Sequence, residues 1–154
     1  MTHYVAVCGA SAPTDEVAAL AEEVGERLAA AGAIVIGGGR AGVMEASFRG
    51  AQRAGGLTVG LLPGDSRDQA NDFCTVALPT GMGDLRNGLI ARAADAVIAV
   101  GGAYGTLSEI ALALNAGTPV VALRTWDLGG DDVVVAETAA DAVRLALDAL
   151  ATNS

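Results

Sequence analysis

Short apolar runs alternate along this chain with segments whose apolar residues recur every three or four positions. Tyr4–Cys8, Ala33–Ile36, Leu57–Leu61, Asp95–Val100 and Pro119–Leu123 are rich in Val, Ile, Leu and Ala, and Gly, Pro or Asp interrupts the chain around them. Such runs read as buried strands. Phe73–Leu78 and Val133–Ala136 read as shorter, peripheral strands. Between the first two strands Val17, Leu20, Ala21, Val24 and Leu28 form one helical stripe, with Thr14 as its N-cap and Gly32 at its end. Further helices are expected from Val43 to about Ala54, Asp84 to Ala94, Leu107 to Ala116, and from a Thr138 cap to about Leu150. Pro63–Asn71 is a polar, turn-rich loop that can move or cover a site. This alternation predicts a single α/β domain over residues 1–154. Its sheet should be doubly wound and mostly parallel, with helices on both faces.

Two strands run into glycine-rich turns that open helices. The first turn is Gly37-Gly38-Gly39-Arg40-Ala41-Gly42, followed by Met44 and Glu45; the second is Gly101-Gly102-Ala103-Tyr104-Gly105-Thr106. Ligands of parallel α/β sheets bind at the carboxyl ends of strands, where both turns must lie. A strand, a glycine turn and a helix make a phosphate cradle, because the first helical N–H groups are unpaired and the dipole favours an anion. Thr106 can add a hydroxyl there, and Glu109, about one turn into the helix, a carboxylate. Arg86 on the preceding helix is a counter-charge or a solvated residue of the helix face. Glu45 is either a ligand contact or a solvated first-turn carboxylate. The first turn lacks a strict G-x-G-x-x-G with an acidic residue placed after strand three, so dinucleotide binding has little support.

Charge narrows the chemistry. The net charge is −9, and all nine basic residues are Arg. The absence of Lys excludes a Schiff-base lysine, and with it lysine-dependent pyridoxal-phosphate chemistry, as well as a Walker-A lysine. An acidic surface repels the nucleic-acid backbone, so no nucleic-acid partner is expected. A small phosphorylated ligand remains compatible, since local Arg and amide groups act at short range. Cys8 and Cys74 lack metal-type spacing and read as small buried hydrophobes, with a disulfide as the alternative. His3 stands alone, so no metal site is expected. No apolar run approaches the ~18 residues of a membrane span, and Tyr4–Val7 reads as a strand in place of a signal segment. A cytoplasmic location, without membrane contact, is the expectation.

The residues GGGRAGVMEA (Gly37–Ala46), Arg86, and GGAYGTLSE (Gly101–Glu109) resemble the LOG-type, Rossmann-like superfamily. Its members include cytokinin-activating nucleoside 5′-monophosphate phosphoribohydrolases, often labelled lysine decarboxylases. The motifs look closer still to a sister group of short proteins that includes molybdenum-cofactor carriers. The resemblance extends from Tyr4 to about Leu123. The family signature P-G-G-x-G-T-x-x-E aligns on Gly101, Gly102, Ala103, Tyr104, Gly105, Thr106 and Glu109. The resemblance implies that Glu109 and Arg86 are the catalytic pair and that the two turns, with Met44, Glu45 and Asn87, bind the phosphate or nucleotide. Gly101 stands for the family proline, Ala103 for its second glycine, and Asn87 for the lysine after the arginine. The lysine-decarboxylase label fails on the missing lysine alone.

The resulting expectation is a nucleotide-binding protein that cleaves the N-glycosidic bond of a nucleoside 5′-monophosphate, giving free base and ribose 5-phosphate. Glu109 would stabilise the oxocarbenium-like ribose and orient or deprotonate water. Arg86 would hold phosphate or favour the departing base. No cofactor is implied. The alternative is a non-catalytic carrier or sensor of a phosphorylated nucleotide- or pterin-like ligand; DNA binding, as in more distant DprA-like relatives, is disfavoured by charge. A homodimer is expected, as in relatives of this kind.

Overall fold

The computed structural model describes residues 1–152, so residues 153 and 154 of the expected domain lie outside it. The elements are β1 (Tyr4–Gly9), α1 (Asp15–Ala30), β2 (Ile34–Gly37), α2 (Val43–Arg53), β3 (Thr58–Leu62), β4 (Val76–Pro79), α3 (Arg86–Ala93), β5 (Ala96–Val100), α4 (Tyr104–Asn115), β6 (Val120–Leu123), β7 (Val133–Val135) and α5 (Ala139–Thr152). The strands form one sheet in the order β4-β3-β2-β1-β5-β6-β7, and every pairing is parallel. The expected doubly wound α/β architecture is therefore present. The order reverses between β1 and β5, which makes the crevice above that pair the place where such sheets bind ligands.

Strand alternation divides the core into two layers. Val5, Val7, Ile98 and Val100 point to one face, where Val24 and Leu28 of α1, Phe48 of α2 and Ala142 of α5 cover them. Ala6, Cys8, Val97 and Ala99 point to the other, against Ile90 of α3 and Ile110 and Ala113 of α4. β5 is buried along its whole length, as its uninterrupted apolar run requires of a central parallel strand. Cys8 and Cys74 are free thiols, the first buried and the second partly so.

Helices α1 and α2 cross at two glycines. A Cβ on Gly25 would collide with the Ser47 carbonyl, and one on Gly50 with the Glu22 carbonyl. Helix caps follow the sequence closely. Thr14 Oγ1 accepts from Val17 N at 3.3 Å, and Thr138 Oγ1 accepts from Asp141 N at 3.0 Å; each satisfies an orphan first-turn donor.

Most boundaries shift by a single residue, and three element starts differ from the periodicity by two or more. β4 starts at Val76, not Phe73, because hydroxyls replace the ladder before it: Thr75 N donates to Thr58 Oγ1 at 2.8 Å and Thr58 N to Thr75 Oγ1 at 3.3 Å. α3 starts at Arg86, preceded by a 3₁₀ turn over Gly83–Leu85. α4 starts at Tyr104, three residues earlier than its apolar stripe. Gly101, at φ +62°, turns the chain sharply, and Ala103 is already extended at φ −128°. The Ala103 amide then donates to Thr106 Oγ1 at 3.4 Å, which closes the first turn around Tyr104 and Gly105.

Candidate functional site

The turns that follow β1 and β5 meet the first turn of α2 at the reversal of strand order. They enclose, with the start of α3, a cleft of about 230 Å³ lined by Gly9, Ala10, Ser11, Met44, Asp84, Arg86, Asn87, Ala103, Gly105, Thr106 and Glu109. One wall is the first turn of α4. The amides of Tyr104, Gly105 and Thr106 have no hydrogen-bond acceptor among the described residues, so this helix start presents free donors and the positive end of its dipole.

Arg86 lines the same cleft. Its side chain is buried, with 8% exposure, yet Nε has no hydrogen-bond partner among the described residues. Among the described residues the side chain makes one hydrogen bond, from Nη1 to Asn87 Oδ1 at 3.3 Å. Burial lowers the guanidinium pKa from its ordinary value; Glu109 and Asp84 oppose that shift, while Arg40 adds to it. A buried cation without a paired carboxylate carries a desolvation cost that an anionic ligand can offset.

Glu109 lies in the sixth position of α4, about one and a half turns in. Burial pushes its pKa up to about 7, with the positive charge of Arg86 acting in the opposite direction. Glu109 therefore exchanges a proton near neutral pH. Such a perturbed carboxylate in a cleft marks a candidate site.

A hydrogen-bond relay ties these walls together. Asn87 Nδ2 donates to Ser108 Oγ at 3.2 Å, and Ser108 Oγ donates to the Gly105 carbonyl at 3.0 Å. The start of α3 is thus fastened to the first turn of α4.

Of the residues singled out in the sequence, Met44, Arg86, Asn87, Ala103, Gly105, Thr106 and Glu109 share the cleft lining. Gly37, Gly38, Gly39, Gly42, Glu45, Gly101, Gly102 and Tyr104 lie outside that lining. Gly38 supports it from behind: a Cβ there would lie 2.5 Å from Arg86 Nη1 and would strike Met44 Sδ. Gly42, at φ +77°, abuts the backbone of Ala10 and Ser11, and Val43 N donates to the Ala10 carbonyl at 3.1 Å. Gly39 packs on Gly60, and Gly37 on Phe48. Glu45 faces its own helix and pairs with Arg49 at 3.8 Å. Gly101 packs on Val17, and Gly102 on Thr125 and Trp126.

Gly9, Ala10, Ser11 and Asp84 line the cleft, and Ser108 completes the relay; none was singled out from the sequence. Gly9–Pro13 carried a usable signal, since it follows a strand, but only the strand order shows that β1 lies beside β5. The polar loop Pro63–Asn71 contributes nothing to the lining. It is fastened to the β2–α2 turn, where Asn71 N donates to the Gly39 carbonyl at 2.8 Å and Asn71 Nδ2 to the Arg40 carbonyl at 2.9 Å. No group of three or more His, Cys, Asp or Glu able to hold a metal occurs among the described residues. No described helix is long and apolar enough to cross a membrane.

Comparison with known proteins bears on this arrangement. The chain is similar to the molybdenum cofactor binding protein of the phototrophic bacterium Rippkaea orientalis, with 32% identity and a TM-score of 0.92 over 97% of this chain and 98% of that one. It is similar to the Moco carrier protein of Chlamydomonas reinhardtii, with 34% identity and a TM-score of 0.91 over 99% of each chain. An uncharacterized protein of Archaeoglobus fulgidus is 46% identical over 120 residues, covering 78% of this chain and 79% of that protein. A family model described as SLOG cluster4 matches residues 2–150, and the chain belongs to that family.

Proposed function

We propose that this chain binds a small phosphorylated ligand of the nucleotide or pterin kind in the cleft between β1 and β5, and that it acts as a carrier or sensor of that ligand. The observation that carries this reading is Arg86: a buried guanidinium whose Nε has no partner among the described residues, in the cleft that the α4 start also lines. In this reading a phosphate group sits between them. It accepts from the Gly105 and Thr106 amides, and its negative charge offsets the buried cation. The phosphorylated pterin of a molybdenum cofactor, as cargo, fits this donor set. Similarity over nearly the whole chain to proteins that bind or carry that cofactor favours it.

A second reading, favoured by Glu109 alone, is phosphoribohydrolase activity on nucleoside 5′-monophosphates. A carboxylate with a pKa of about 7 is suited to exchange a proton with water at neutral pH. A protonated Glu109, however, stabilises an oxocarbenium ion less than an ionised one. The turn also differs from the hydrolase signature: Gly101 at φ +62° occupies a conformation closed to the signature proline, whose ring fixes φ near −65°. Both features weigh toward the carrier.

The proposal includes a homodimer. Met82, Leu85, Leu89 and Leu112 leave apolar side chains exposed at and between α3 and α4, a face suited to a second copy. Sedimentation of the wild type beside Leu85→Glu tests this part; a monomer in both samples refutes it.

The functional test is base release from a panel of nucleoside monophosphates, wild type beside Glu109→Gln, with binding followed in the same samples. The carrier reading predicts binding without release in either protein. Release by the wild type that disappears in Glu109→Gln selects the hydrolase.

A further inference from the structure

Two of the five aromatic residues of this chain, Tyr104 and Trp126, meet beside the α4 start. Their ring centroids are 5.8 Å apart and their planes 28° from parallel, within the range of offset stacking. Trp126 is tied to the turn that opens α4. Its indole N–H donates to the Ala103 carbonyl at 3.0 Å, and a Cβ on Gly102 would lie 2.9 Å from its Cδ1 and Nε1. Tyr104 opens α4 between Ala103 and Gly105, both of which line the cleft. The tyrosine is 82% exposed and the tryptophan 36%. Trp126 thus covers part of one face of the phenol ring, and the rest of the ring meets solvent.

Helix packing does not account for this pair. Tyr104 contributes nothing to either core layer, and a large ring left in water forgoes the burial that aromatic side chains ordinarily gain. The indole bonded to the turn fixes where the phenol lies relative to the free amides of Gly105 and Thr106. A stacked, exposed, well-anchored aromatic pair adjoining a phosphate cradle has the properties of a platform for a flat ring.

We infer that Tyr104, backed by Trp126, stacks the planar heterocycle of the ligand whose phosphate the cleft holds. This inference rests on the proposed reading of the cleft and adds the side chain that recognises the planar heterocycle, the part of the ligand that a sugar or acyl phosphate lacks. A nucleobase and a pterin share that chemistry.

Calorimetric titration with three probes tests it: ribose 5-phosphate, adenosine 5′-monophosphate and 6-hydroxymethylpterin monophosphate. Each is titrated into the wild type, Tyr104→Phe and Tyr104→Ala, with circular dichroism to confirm that the variants fold. Trp126 is the single tryptophan, so its emission gives a second, local readout for the adenosine probe. The expected result is that Tyr104→Ala weakens at least one ring-bearing probe about tenfold, Tyr104→Phe retains it within about twofold, and ribose 5-phosphate is indifferent to both changes. The ring-bearing probe that shows the effect names the heterocycle. Ribose 5-phosphate binding with no Tyr104 dependence for either ring-bearing probe overturns the platform and leaves the cleft reading intact. An equal loss for all three probes in Tyr104→Ala also overturns it, since that signals damage to the turn. Failure of the wild type to bind any probe overturns the cleft reading and the platform together.

Discussion

Asn87 Nδ2 donates to Ser108 Oγ at 3.2 Å, and this hydrogen bond links the first turn of the helix that presents Arg86 to the helix that presents the free amides. The other end of the Asn87 amide accepts from Arg86 Nη1. A lysine at this position, as in the hydrolase signature, would add a cation but could not accept from the guanidinium, since an ammonium has only donors. Asn87 thus replaces charge with orientation.

Asn87→Ala should weaken binding of a phosphorylated ligand severalfold, because the Arg86 guanidinium loses an acceptor and the start of α3 loses a polar tie to α4. The stability cost should be about 1 kcal/mol, the usual net worth of a hydrogen bond. Titration and urea unfolding on the same variant measure both. Unchanged affinity would mean that the relay holds the fold and does nothing for the site.

Gly25→Ala should destabilise the fold by about 1–3 kcal/mol, as an added methyl overpacks a closed contact. The new Cβ would strike the Ser47 carbonyl across the α1–α2 crossing. Urea unfolding reads the change, and a neutral result would mean that the two helices can separate without loss.

Glu109 gives the fold a specific pH dependence. Its folded pKa, about 7, is raised above the ordinary 4.5 by burial. Its contribution to stability is therefore complete below about pH 4.5 and is lost as the pH rises through 7. Glu109→Gln removes this titration, so the variant should gain on the wild type by about 1–3 kcal/mol between pH 4.5 and pH 8. Urea midpoints of the two proteins at those two pH values check it. A constant difference across the range would show that Glu109 ionises as a solvated carboxylate.

Much of this molecule is legible in its sequence, for identifiable reasons. Val5 and Val7 against Ala6 and Cys8 alternate between layers as β residues must, and Thr14 and Thr138 cap helices by local bonds. Local patterns of this kind need no knowledge of the tertiary fold. The α4 start was misread because its first turn, Tyr104-Gly105-Thr106, is polar or small and lacks the stripe that marks the rest of the helix. Tertiary placement escaped for a different reason. That Gly9–Ser11 faces Arg86 depends on β1 lying beside β5, and strand order leaves no trace in hydrophobic periodicity. Gly38 illustrates both cases: its turn was legible, but its role behind Arg86 depends on two segments distant in sequence.

The most direct measurement is calorimetric titration of a phosphorylated ligand into the wild type and Arg86→Met, with urea unfolding of both proteins. Arg86 is buried, and its Nε has no partner among the described residues, so the relief of a buried charge in Arg86→Met should offset the lost bond to Asn87 and leave the fold stable to within about 1 kcal/mol. Binding should fall by a factor of about ten to a hundred, the worth of a charge-assisted hydrogen bond to phosphate. That combination, affinity lost while stability is kept, is what the account predicts. Arg86→Met that binds as tightly as the wild type, or that unfolds the protein, would contradict the claim that this arginine is held in the cleft for an anionic ligand.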